Sequence, residues 1–282
     1  MNSLKPLTAC SVLLVSLCLV SCNKPSQVSV ESGGEPPALA NASLTDGGAL
    51  YDTWWKVVGI DAPTENHPLW ASRPDTESNT RSGSDTHRCK ECHGWDYKGV
   101  DVVYSKGSHR TGFPGILGTT LAAREIFTLL KSAPQTQPNG HGYSTLGLSD
   151  AQLWSLTKFV LEGAMNLDAL IDPNGRFIGD ADRGETLFKE PIGANQACAT
   201  CHGDDGLTKP IDAMTDIVGA SPDFEDYPGA IANENPWEFQ HKVRFGQPGT
   251  SMASTIDQGF TSQELADLGA FVQMLPAKPA EE

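Results

Sequence analysis

Two copies of one pentapeptide constrain this chain more than any other feature. They are Cys89-Lys90-Glu91-Cys92-His93 and Cys198-Ala199-Thr200-Cys201-His202. Cys-X-X-Cys-His is the attachment signature of c-type haem. The two thiols form thioethers with the haem vinyl groups, and the histidine becomes the proximal ligand of the iron. A bare Cys-X-X-Cys also serves as half a zinc site or as a redox dithiol. The trailing histidine and the second copy point away from both. A haem is a large apolar body in itself, so the core need not come from side chains alone. Short helices and loops can wrap it.

The cysteine count agrees. Of seven cysteines, Cys10 and Cys18 lie in an apolar N-terminal run, Cys22 ends it, and four belong to the motifs. None remains for a structural disulfide or a zinc site. The other five histidines, His67, His87, His109, His141 and His241, do not stand beside one another at ligand spacing. Glycines number 28 and prolines 19, above the average usage of about 12%, which implies a loop-rich protein. The net charge of −15 would repel nucleic acid and suits a redox partner with a basic docking surface.

Residues 1–21 read as an export signal, with Lys5 at its start and an apolar stretch from Leu7 to Val20. Leu19-Val20-Ser21-Cys22 resembles the bacterial lipobox, which implies lipidation of Cys22 and attachment to an envelope membrane facing the periplasm. Asn23, in place of aspartate, favours the outer membrane over the inner. Residues 22–43, rich in Ser, Gly, Pro and Ala, read as a flexible tether reaching roughly 25 Å.

The remainder repeats itself. Gly48 to Trp55 parallels Gly184 to Phe188 ahead of the two motifs. Behind them, Leu153, Leu156, Phe159 and Val160 share residues and spacing with Leu265, Leu268, Phe271 and Val272, each set one apolar helical face. Ser149 with Gln152, and Thr261 with Glu264, are candidate capping boxes, and Asp182 is placed to cap the helix before the second motif. Shorter helices are expected over Leu121 to Lys131 and Pro236 to Phe245, the latter with proline in its first turn.

On these residues each half resembles a class I cytochrome c domain, spanning 44–167 and 183–276, joined by a turn-rich linker at 168–182 and followed by a short tail at 277–282. The resemblance implies a mainly α fold: two tandem helical domains, loop-rich, each wrapped around one covalent haem c. In that family an N-terminal and a C-terminal helix cross beside the haem motif. Gly184, Phe188 and Phe271 match the crossing positions. A proline after the motif supports the proximal histidine through its carbonyl, and Pro114 and Pro222 stand near that place. The first half departs from the pattern by an insertion, residues 59–88, which either covers the first haem, forms a partner surface or, as the default reading, is an inert loop.

The proximal ligands are then His93 and His202. For the far side of the second iron, Met252 lies in the Gly/Pro loop Phe245 to Met252, where this family keeps its methionine. The first half has no methionine in the matching loop. Met165 falls after the last helix, and His141 aligns beside the Met252 position. His141 is therefore the candidate distal ligand, with His109, an open distal side, or a surface role for His141 as alternatives. His67 and His87 read as loop residues. His241, beside Lys242 and Arg244, reads as a surface or propionate-side group. Trp95 and Tyr97 are placed to pack at the first haem edge, and Arg124 and Arg244 either pair with propionates or belong to solvated faces. Thioether favours Fe(II) more than imidazole does, so the first site is expected at the lower potential.

The function this implies is that of a dihaem electron carrier working outside the cytoplasm and tethered by lipid, with no nucleic acid partner. The alternatives are a dihaem oxidoreductase such as a peroxidase, and the cytochrome subunit of a larger respiratory complex.

Overall fold

The computed structural model describes residues 36–191, 196–208 and 227–278. The export signal, Cys22, the tether up to residue 35, Pro222 and the end of the tail lie outside these residues. The first half carries α1 (Pro37–Ala40), α2 (Leu44–Val58), α3 (Cys89–His93), α4 (Ala123–Lys131) and α5 (Asp150–Lys158). The second carries α6 (Ala181–Lys189), α7 (Cys198–His202), α8 (Pro228–Glu234), α9 (Pro236–Phe245) and α10 (Ser262–Val272). The described residues hold no β-strand, only the isolated bridges Gly99–Pro114 and Ile171–Phe177. The described residues are mainly α, as the resemblance implies, and loop-rich, as the glycine and proline content implies.

In each half the first long helix crosses the last, and a glycine lets the backbones touch. A Cβ on Gly47 of α2 would overlap the Ser155 carbonyl oxygen and lie 2.8 Å from Phe159 Cβ. A Cβ on Gly184 of α6 would overlap the Asp267 carbonyl oxygen and lie 2.8 Å from Phe271 Cβ. One turn later the aromatic pairs follow. The ring centroids of Tyr51 and Phe159 are 4.8 Å apart, and those of Phe188 and Phe271 are 5.5 Å apart. The two crossings thus pack alike, in the register Gly47 to Gly184, one residue earlier than the Gly48 alignment. Gly48 instead meets the Phe245 ring of α9.

Both capping boxes form, at Ser149 with Gln152 and at Thr261 with Glu264. The cap of α6 is Asp180, not Asp182, and its carboxylate accepts the Asp182 and Arg183 N–H groups. Asp182 sits inside the first turn, where its charge meets the positive end of the helix dipole. α4 begins at Ala123, because Ala122 is extended and hands its N–H to the Glu125 carboxylate at 2.7 Å. Order begins before the expected end of the tether. Leu39 is buried, and Ser43 caps α2 and donates its N–H to Ser155 Oγ at 3.2 Å.

The insertion is not an inert loop. Its polar side chains bond within the insertion and to the segments beside the first motif, leaving Arg73 Nε and His87 Nδ1 buried without a partner. Arg73 donates to the carbonyls of Trp70, Thr76 and Asn79, and the Asp75 N–H reaches the Thr111 carbonyl at 2.9 Å. Arg110 pairs with Asp75. The linker is equally fixed. Phe177 is buried against Gly269 and Phe239, and Gln273 holds Gly175 O and Phe177 N.

The two halves meet along α2 and α9, and residues 35–282 form one compact unit. Buried Asp52 of α2 binds Lys242 of α9 at 2.6 Å and also Arg88, the residue before Cys89. The Asp52 carbonyl accepts Arg88 Nε at 3.2 Å, and α2 breaks at the next residue, Thr53, whose φ/ψ of −141°/74° is not helical.

Candidate functional site

The two pentapeptides share one local fold. Each forms a single helical turn after an extended residue, and each ends at a glycine with positive φ, 76° at Gly94 and 73° at Gly203. The glycine N–H closes the turn on Lys90 O at 2.9 Å and on Ala199 O at 2.8 Å. The histidine carbonyls are held alike, His93 O by Gly99 N–H and His202 O by Thr208 N–H, both at 2.9 Å. Three residues past each histidine, an aspartate accepts the N–H two positions on, at 3.0 Å for both Asp96 and Asp205.

His93 Nδ1 lies 2.7 Å from the Pro114 carbonyl oxygen. A carbonyl only accepts, so Nδ1 carries the proton and Nε2 keeps its lone pair for a metal. The counterpart proline of the second half, Pro222, lies outside the described residues. Facing His93 is His141, with ring centroids 6.2 Å apart and planes at 29°. A metal–imidazole bond is about 2.0–2.1 Å, which sets two nitrogens on one ion about 4 Å apart and their ring centres about 6 Å apart. The spacing therefore fits one iron between the rings. Burial, reinforced by His93, lowers the His141 pKa to about 4, so the imidazole is neutral, the ligating form. Its Nδ1 is buried without a hydrogen bond.

The His141 loop hangs on the end of α4. His141 N–H donates to Leu129 O at 2.7 Å, Tyr143 N–H to Leu130 O at 3.0 Å, and Gly142 N–H to Ser132 O at 2.8 Å. The insertion adds a clamp. His67 Nδ1 accepts the Leu69 N–H at 3.2 Å, so His67 Nε2 donates to the His141 carbonyl at 3.0 Å. His67 and His87 are thus buried wall residues, the latter donating to Glu65 O at 2.9 Å. Among the described residues no three His, Cys, Asp or Glu side chains converge as a further metal site.

The four motif cysteines are unpaired. Burial pushes the Cys89 thiol up to about 11, Cys92 higher still, and raises Cys198. A redox dithiol needs the opposite shift. Tyr143 Oη stands 3.7 Å from Cys89 Sγ.

His109 does not face His93. It joins Glu91, at 3.8 Å, in a cluster with Asn79 (2.6 Å), Lys90 (2.8 Å) and Arg81 (3.2 Å). Burial raises the Glu91 pKa, but His109, Lys90 and Asn79 overcome this and hold it well below the carboxylate range. Arg124 is exposed. Met252 is half-buried. Its N–H donates to Thr250 Oγ1 at 3.2 Å, and its carbonyl passes so close to Gly246 that a Cβ there would overlap it. Burial lowers the His202 pKa.

His241 and Arg244 are neither surface groups nor solvated. His241 has no exposed area. It donates from Nε2 to Gly48 O at 3.0 Å and accepts at Nδ1 from Tyr97 Oη at 2.8 Å. Arg244 is 7% exposed. Docking of the two halves buries both. Trp95 and Tyr97 are buried in the same junction, Trp95 with its ring 4.8 Å from that of His241.

Residues 181–276 match the cytochrome c family model. This part of the chain is similar to a cytochrome c domain. No curated protein and no solved structure matches the chain. The matched stretch spans α6 to α10 and contains Cys198, Cys201, His202 and Met252. It implies covalently bound haem c and one-electron transfer. The first half lies outside the match, and residues 59–88 separate its crossing helix from its motif.

Asp96 supplies a stability test near the first motif. Burial raises its pKa from 3.8 to about 6, and its Oδ2 has no hydrogen-bond partner. The native state then binds a proton more readily than the unfolded chain, so stability falls as pH rises from about 4 to 6. Asp96→Asn keeps an acceptor for Lys98 N–H and removes the buried charge. Thermal melts should show it more stable by on the order of 2 kcal/mol above pH 6, with the gain vanishing near pH 4.

Proposed function

We propose that the chain is a dihaem c-type cytochrome that carries electrons between redox partners outside the cytoplasm, held to the bacterial envelope by lipid on Cys22. The first site comprises Cys89, Cys92, His93 and His141, and the second Cys198, Cys201, His202 and Met252. The reading rests chiefly on His93 and His141 facing each other at metal-bridging distance. The duplicated glycine–aromatic helix crossing supports one plan for both halves.

When bound, each haem supplies one-electron Fe(II)/Fe(III) chemistry. The chain's residues supply the rest. Pro114 fixes the His93 tautomer, and His67 and α4 hold the His141 loop. A haem iron held by both His93 and His141 would have no position left for a substrate at the first site, which favours a carrier over an oxidoreductase. The acidic chain favours a basic docking partner.

The pyridine haemochrome assay should give two haems per chain, and EPR of the oxidised protein two low-spin signals. His141→Ala should turn the first site high-spin and leave the second unchanged. One haem per chain, or a low-spin first site in His141→Ala, overturns the reading.

A further inference from the structure

The phenol of Tyr97 belongs to the first half, four residues past His93, yet its partners are on α9 of the second. The Tyr97 backbone has φ 63°, a left-handed conformation that is a genuine outlier for a bulky residue. Its carbonyl accepts the Ile116 and Leu117 N–H groups at 2.9 and 3.0 Å, just past Pro114. Its hydroxyl, fully buried, donates to His241 Nδ1 and accepts from Gln240 Nε2 at 3.2 Å and Arg244 Nη1 at 3.4 Å.

Arg244 is the pivot. Its buried guanidinium is held by neutral oxygens: Tyr97 Oη, Gly163 O at 2.8 Å and Gln240 Oε1 at 3.3 Å. Two of the three come from the first half. Its backbone carbonyl holds the loop that follows Met252, accepting Ser254 Oγ–H at 2.6 Å and Ile256 N–H at 3.3 Å. Thr45 of α2 adds a direct clasp to Asp257 at 2.7 Å.

We infer that Tyr97 is a positioning residue for the second site: through Arg244 and Ser254, the first half holds the loop that presents Met252. The inference rests on the reading of Met252 as an iron ligand. Its consequence is that a change in one half alters how firmly the other half closes its metal.

Cyanide binding to the oxidised full-length protein tests this, followed by loss of the methionine–Fe(III) charge-transfer band. Cyanide enters where Met252 leaves, so its apparent affinity reports the fraction of loop released. Tyr97→Phe keeps the ring and removes one acceptor from a buried cation, which should raise that affinity about tenfold. Ser254→Ala, a mild change at the other end of the chain of bonds, should do the same. The two together should give about tenfold, not the hundredfold of independent sites. Unchanged affinity in Tyr97→Phe, or a hundredfold rise in the pair, overturns the inference while leaving the ligand assignment intact. A wild-type protein lacking a band that Met252→Ala abolishes overturns both.

Discussion

Asp52→Ala is expected to cost about 3–5 kcal/mol of stability, the usual effect of stripping one partner from a buried ion pair. Asp52 is fully buried on α2 and is shared by Arg88 and Lys242, whose side chains are 19% and 16% exposed. Without it, two largely buried cations face each other at the junction of the halves. Urea unfolding at neutral pH should show the loss as a fall in midpoint. The pH dependence follows from the same site. Burial raises the Asp52 pKa, but Lys242 and Arg88 overcome it and hold the group well below its usual range. Its contribution is therefore present above about pH 4 and is lost as the pH falls below the unfolded value. The gap between wild type and Asp52→Ala should close in acid. A gap that widens there would contradict the assignment.

Gly47→Val and Gly184→Val should each cost about 3 kcal/mol or more, at the upper end for overpacking. In both cases the new Cβ overlaps a backbone carbonyl oxygen of the crossing helix, which cannot rotate away. The losses should be local in readout. If the proposed dihaem reading holds, haem content falls first at the Cys89/Cys92 site for Gly47→Val, and at the Cys198/Cys201 site for Gly184→Val. Gly59→Ala is the control. Gly59 has φ 77° but nothing within 4 Å of the added carbon, so only the left-handed strain of about 1–2 kcal/mol applies.

What could be read from the sequence is what local pattern encodes. The periodic leucines of α5, with Phe159 just past its end, and Leu265, Leu268 and Phe271 of α10 mark the buried faces, the Ser/Gln and Thr/Glu pairs mark the helix starts, and Pro236 marks the start of α9. His141 emerges from spacing and from the lack of a methionine nearby. What could not be read depends on contacts between distant segments. Lys242 and Arg244, just after the hidden His241, look like a solvated stripe, and docking against Asp52 and Tyr97 covers most of the first and buries the second. Residues 59–88 look inert because they are polar, yet Asn79, Arg81 and His67 spend that polarity on Glu91 and on the His141 carbonyl. The choice between Gly47 and Gly48 was invisible because both are glycines, each needed for a different neighbour. α8, a short run of Pro, Gly, Ala and Asn without apolar period, gave no signal.

The thiols of the first motif carry one last implication, about the order of events in the life of the chain. Tyr143 Oη stands 3.7 Å from the half-buried Cys89 Sγ, and burial raises the pKa of both Cys89 and Cys92, favouring the protonated thiol. Sulfur in that state is a poor nucleophile. On the proposed reading of Cys89 and Cys92 as attachment points, porphyrin would be joined more readily before these walls close, while the sulfurs are still free of the shift that burial imposes.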